Sequence, residues 1–88
     1  MKISEACYAA ADYIREHGWT QGKLRDNYGR VCLIGAMGSM HICDLFAPAF
    51  HKHFGIGPVW FNDKECRSAD DAIAALEIMG DIECAEGR

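Results

Sequence analysis

The sequence predicts a mainly all-α protein: one small four-helix domain, with an irregular loop or tiny β-hairpin between helices one and two. Three observations carry that expectation. Apolar residues recur at three- and four-residue steps in separate segments, turn-forming residues stand between those segments, and 88 residues that are half hydrophobic suffice for one core but not two. The domain is expected to span residues 1–88, with an ordered core over about 3–80 and a polar tail, 81–88, that frays.

The first helix is the clearest. Ser4 is placed to cap it, Glu5 suits the positive end of the helix dipole, and Ile3, Cys7, Ala10 and Ile14 form a stripe that Ala6 and Tyr13 widen. Gly18 is expected to stop it as a left-handed cap. Trp19 to Lys23 reads as loop, and Asp26-Asn27-Tyr28-Gly29 as a chain reversal.

Cys32 to about His41 predicts a second helix, apolar on most sides and therefore central, with Leu33, Met37 and Met40 on one face. Gly35 and Gly38 cost helicity, so they are expected to permit close packing against a neighbouring helix. A third helix is expected between about Asp44 and Phe54, with Leu45, Phe46, Ala49, Phe50 and Phe54 buried and Gly55 as the stop. Either Asp44 caps it with Pro48 near the first turn, or it starts around Ala47. Residues 56–61 read as extended and strand-like. Ser68-Ala69-Asp70-Asp71 resembles a capping box and opens the last helix, whose buried face is Ala69, Ala72, Ile73, Leu76 and Met79 and whose end is expected at Gly80.

Composition narrows the function classes. The net charge is −4, with eight acids against three bases from Asn62 to Arg88, so nucleic acid and anionic membranes are not expected partners. Residues 31–50 carry one formal charge, Asp44, but glycines, Pro48 and that carboxylate make a poor membrane span. Five cysteines without a C-x-x-C pair, and no secretory leader, predict reduced thiols and a cytoplasmic setting.

Cys32 is the one candidate catalytic residue, because a thiol at a helix N-terminus can ionise and act as a nucleophile. It lacks a local base: on a continuous helix His41 would lie about 13 Å along the axis. Packing at the start of a buried helix is the competing role. His41, Cys43, His51, His53 and Cys66 are zinc-competent, but the two-residue spacings point ligands apart, so neither a metal site nor a cofactor is expected, and His51 and His53 are read as solvent-facing. The candidate binding residues are Trp19, Gln21, Tyr28, Trp60, Asn62, Asp63 and Arg67. The tryptophans are potential aromatic anchors, with Trp60 read as mainly core. Asn62, Asp63 and Arg67 form either a polar binding corner or a side-chain turn in which Arg67 pairs with Asp63.

Three stretches, taken in order, form a more specific pattern: Ala9 to Gly22 with its Gly-Trp-Thr-Gln-Gly end, Gly29 to Met37 with Gly-Arg-Val-Cys-Leu-Ile-Gly-Ala, and Asn62-Asp63 followed by Arg67-Ser68. Together they resemble a family of small proteins of unknown function from actinobacteria and their phages. That resemblance implies an actinobacterial or phage-encoded cytoplasmic protein, and implies no activity, cofactor or catalytic residue. The leading functional expectation is an accessory or regulatory protein that binds an unknown protein partner, with a host component among the candidates. A homodimer is compatible with the sequence, and the alternatives are a thiol-dependent hydrolase centred on Cys32 or a small-ligand or metal sensor.

Overall fold

The computed structural model describes residues 1–38 and 42–88, and the main chain alone of Cys43. The helix positions expected for Met40 and His41 lie outside the described residues. The chain is mainly helical, in the order α1 (Ile3–His17), α2 (Leu33–Gly38), α3 (Cys43–Phe54), α4 (Pro58–Trp60), a π-helical turn (Phe61–Glu65) and α5 (Ala69–Ala85). Among the described residues there is no strand. The region between α1 and α2 holds only two isolated bridges, Trp19 with Val31 and Arg25 with Val31, as an irregular loop rather than a hairpin. No helix among the described residues is long and apolar enough to cross a membrane.

The most extensive packing is α1 against α5. Both helices bury small residues, Ala6, Ala10 and Ala11 on α1 and Ala72 and Ala75 on α5, together with Cys7, Ile14, Leu76 and Met79. Antiparallel polar pairs flank the contact: Tyr8 Oη donates to Asp81 Oδ1 at 2.5 Å, and Arg15 reaches Glu77 at 2.8 Å. Gly80 lies inside this contact. A Cβ there would stand 2.8 Å from Tyr8 Cε1, so the glycine serves close approach and does not end the helix.

Instead α5 runs to Ala85 and closes one turn later. Arg88 N–H donates to the Glu83 carbonyl, Gly87 N–H to the Cys84 carbonyl, and Gly87 takes φ 79°, the nested pair of bonds of a Schellman cap. Residues 81–88 are thereby folded onto the body, and the Arg88 carbonyl accepts the Ser4 N–H at 3.1 Å. Ser4 is buried at this junction and does not cap α1; the preceding position is Lys2, whose N–H donates to Glu5 Oε1. Gly18 does end α1, but with φ 95° and ψ 167° it leaves as extended backbone of positive φ rather than as a left-handed turn.

Helix α2 is central, with Leu33, Ala36 and Met37 fully buried. The close neighbour that Gly35 permits is a loop and not a helix: a Cβ at Gly35 would fall 1.9 Å from the Leu24 carbonyl oxygen. Helix α3 begins before Pro48, which sits inside it without ending it. Pro48 and Asp44 both lie on the exposed side, where the carbonyl left without a donor is open to solvent. Gly55 is the left-handed stop expected. Leu45 is 59% exposed, outside the core stripe predicted for it, whereas Phe46 and Phe50 are fully buried. Phe50, Phe54 and Phe61 stack with centroids 4.4–5.4 Å apart, which fastens α3 to the π-turn.

Residues 58–65 are helical, not extended. Gly57 is extended and Pro58 takes the first helical position, where its fixed φ and missing N–H suit a helix start. Valine and two aromatics gave the strand signal, and the proline overrode it.

The expected outcome of Gly35→Ala follows from the Leu24 contact. Because the obstacle is main chain, the variant should lose about 3 kcal/mol or more of stability, read as a lowered denaturation midpoint. An unchanged midpoint would contradict the tight seating of α2.

Candidate functional site

The functional candidates converge where the α1–α2 loop meets the π-turn. Asn62 is fully buried and all four of its side-chain bonding positions are used. Its Oδ1 accepts Trp19 Nε1–H at 2.8 Å and Leu33 N–H at 3.1 Å; its Nδ2 donates to the Thr20 carbonyl at 3.1 Å and Asp63 Oδ1 at 3.0 Å. Two obligate donors face the oxygen and two obligate acceptors face the nitrogen, which fixes the orientation of the amide. The bond to Leu33 satisfies one of the orphan N–H groups that open α2.

Gln21 completes the junction from the loop side. Its Nε2 lies 3.0–3.2 Å from the carbonyls of Asn62, Asp63 and Cys66, its two N–H groups shared among three acceptors at the last turn of the π-segment. Asp63 Oδ1 accepts the Gly22 N–H at 3.0 Å, and this bond, with that from Asn62, holds its carboxyl below the usual range. Four of the seven predicted binding residues, Trp19, Gln21, Asn62 and Asp63, are thus brought together, and they bind one another.

The other three are dispersed. Tyr28 is 83% exposed at the turn, with the Arg30 guanidinium 5.2 Å from its ring centroid. Trp60 is 58% exposed, with the Lys64 ammonium 5.8 Å from its ring centroid, so it is a surface residue and not core. The π-turn turns Asn62 inward while leaving Trp60 outside. Arg67 does not pair with Asp63; its N–H donates to Asp71 Oδ2, and its side chain borders a groove of about 330 Å³ floored by Phe54, Phe61, Ala75 and Ile78.

Cys32 immediately precedes α2 and is 4% exposed. Its Sγ accepts the Gly35 N–H at 3.4 Å, so the thiol caps the helix, and no described histidine bonds it. Beside it lies a cleft of about 170 Å³ lined by Gly22, Lys23, Leu24, Cys32, Val59 and Asp63. Cys7, Cys32, Cys66 and Cys84 are free thiols, of which only Cys84 is exposed. Burial, helped by Glu83, pushes Cys7 up to about 12, and burial with Asp71 and Glu65 pushes Cys66 up to about 11.

The sequence model of a family of unknown function, DUF6197, matches residues 1–81. The chain belongs to that family. No curated protein and no solved structure matches it significantly. In this DUF6197 chain the Gly-Trp-Thr-Gln-Gly and Asn-Asp segments are the two halves of one clasp, and Cys-Leu of the third segment is its floor.

Two features went unread in the sequence. Leu24 and Val59 are exposed apolar residues that face the same cleft, because a loop and a helical turn meet there. His53, expected to face solvent, has a side chain only 12% exposed, and its Nε2 lies 2.7 Å from Oε1 of the buried Glu83. The spacing of Glu83 and Glu86, one helical turn apart, was the available signal.

Asn62→Ala should lose about 3 kcal/mol, because Trp19 Nε1–H and Leu33 N–H are left without an acceptor. Asn62→Asp sets a buried carboxylate against Asp63 and the Thr20 carbonyl, which raises its folded-state pKa. Its deficit against the wild type should be largest at neutral pH and narrow as the pH falls through the carboxylate range. Urea denaturation of both variants at neutral and acidic pH measures it; a pH-independent deficit for Asn62→Asp would contradict this assignment.

Proposed function

We propose that the protein is a small accessory or regulatory protein that acts by binding another protein through the face formed by Leu24, Val59 and Trp60, in the cytoplasm of an actinobacterium or of one infected by a phage. The observation that carries this reading is the exposure of Leu24 and Val59 on the 170 Å³ cleft, with the exposed Trp60 next to Val59 in the short helix α4. Each is more than half exposed, and apolar surface next to polar rim groups such as Lys23, Asp63 and Lys64 is what partner faces present. Trp60 is the natural anchor, since tryptophan dominates the energetics of protein contacts.

The clasp supports the reading indirectly. Trp19, Gln21, Asn62 and Asp63 spend their bonds on holding the loop to the π-turn, so they shape the face. Affinity capture from actinobacterial lysate with wild-type, Trp60→Ala and Val59→Ser baits tests it. A specific partner should be recovered with the wild type and weakened by about 2 kcal/mol, some thirtyfold, with Trp60→Ala, while both variants keep the wild-type melting profile. Equal recovery with all three baits, or no partner, would overturn it.

The second reading is a thiol enzyme centred on Cys32, favoured by the cleft beside that sulfur. It requires rapid alkylation of Cys32 in the native state. If Cys32 acts instead as the helix cap, iodoacetamide should modify the exposed Cys84 first, with Cys7, Cys32 and Cys66 protected until the chain opens. Peptide mapping over a time course separates the two.

A further inference from the structure

At the far end of α5, where it meets the last turn of α3, a second polar cluster takes no part in the clasp. A ring nitrogen of His53, a Glu83 carboxylate oxygen and a Glu86 carboxylate oxygen all lie within 4.8 Å of one another. We propose that His53, Glu83 and Glu86 form a binding site for a divalent metal ion of the zinc type, with Arg88 as a tethered cation that holds the site closed until the ion displaces it.

The donor set is one imidazole nitrogen and two carboxylates, a combination suited to zinc and its first-row neighbours, whose bonds to such atoms are about 2.0–2.2 Å. Donors this close reach a common ion by side-chain rotation, the Nε2 proton that faces Glu83 passing to Nδ1 or to solvent as the ion binds. Three protein ligands leave a position for water or for a further ligand.

The surroundings favour a cation independently of the donors. The cluster lies at the carbonyl ends of two helices, α3 through His53 and α5 through Glu83 and Glu86, and both ends carry partial negative charge. Two carboxylates there face one guanidinium. Arg88 Nε donates to Glu83 Oε2 at 2.6 Å, and a terminal nitrogen of Arg88 donates to Glu86 Oε2. The two carboxylates outnumber the one guanidinium by a charge, and a dication in its place balances them.

The fold also prepares the site. Glu83 is only 2% exposed. Its two oxygens are already engaged, one 2.7 Å from His53 Nε2 and the other accepting Arg88 Nε–H at 2.6 Å. Glu86 and the Arg88 side chain are about half exposed, so the site opens to solvent on that side. The Arg88 main chain is tied by its N–H to the Glu83 carbonyl and by its carbonyl to the Ser4 N–H, so its guanidinium can swing away without unfolding α5.

The test uses the full chain, free of any histidine tag and stripped with chelator, titrated with Zn²⁺ by calorimetry and with Co²⁺ by visible absorption. One equivalent should bind, with the His53 ring resonances perturbed. Glu86→Gln, an exposed change, should weaken binding about tenfold or more, and His53→Gln at least as much. Arg88→Ala should tighten it, and His51→Gln should leave it unchanged. Thermal melts identify any variant that fails to fold, and Glu86→Gln carries the test if His53→Gln does. Failure of both wild type and Arg88→Ala to take up one equivalent, or wild-type affinity in Glu86→Gln, would overturn the proposal.

Discussion

One buried amide organises this fold. Asn62 touches the α1–α2 loop through Trp19 and Thr20, the first N–H of α2 through Leu33, and its own turn through Asp63. In a low-dielectric interior such a set is favourable only when every member is satisfied, and here every one is. The consequence is positional. The loop is irregular and contributes no sheet of its own, so side-chain bonds replace a ladder in fixing where it lies. With the loop fixed, the Leu24 carbonyl can rest against Gly35, and α2 can sit with Leu33, Ala36 and Met37 fully buried.

A small domain has little hydrophobic surplus, and this one covers its core with a division of labour. Helices α1 and α5 meet through alanines and Gly80 at close range, whereas α3 and the π-turn meet through phenylalanine rings. The first contact is thin and the second bulky, and α2 lies in the core with them. Polar pairs line the α1–α5 contact, and the Glu83 cluster joins α3 to α5.

Helix existence was legible in the sequence wherever a stripe repeated over three turns, as in α1 and α5, and wherever Gly55 closed a run of phenylalanines. Boundaries were legible only where a glycine had a single possible duty. Gly80 and Gly87 both follow plausible helix ends, and only the approach of Tyr8 from another helix assigns the first to packing and the second to capping. For residues 56–61 the local signals conflicted, with strand-favouring side chains on a helix-starting proline. Within the candidate site, the residue types of Trp19, Gln21, Asn62 and Asp63 marked them as special, but their duty needed the third dimension: they lie about forty residues apart and bond to one another. Trp60 was misplaced because hydrophobicity says nothing about the phase of a π-turn.

That phase has its own consequence. A π-turn carries one residue more per closed ring than an α-turn, here in the Phe61 to Cys66 bond, and a shift of one residue in a helical segment rotates a side chain by about 100°. Between Pro58 and Cys66 the fold therefore holds the chain to a fixed residue count more strictly than to a composition: substitutions at outward positions leave the packing in place, while any insertion or deletion would swing the central amide out of its socket and let go of loop and helix at once.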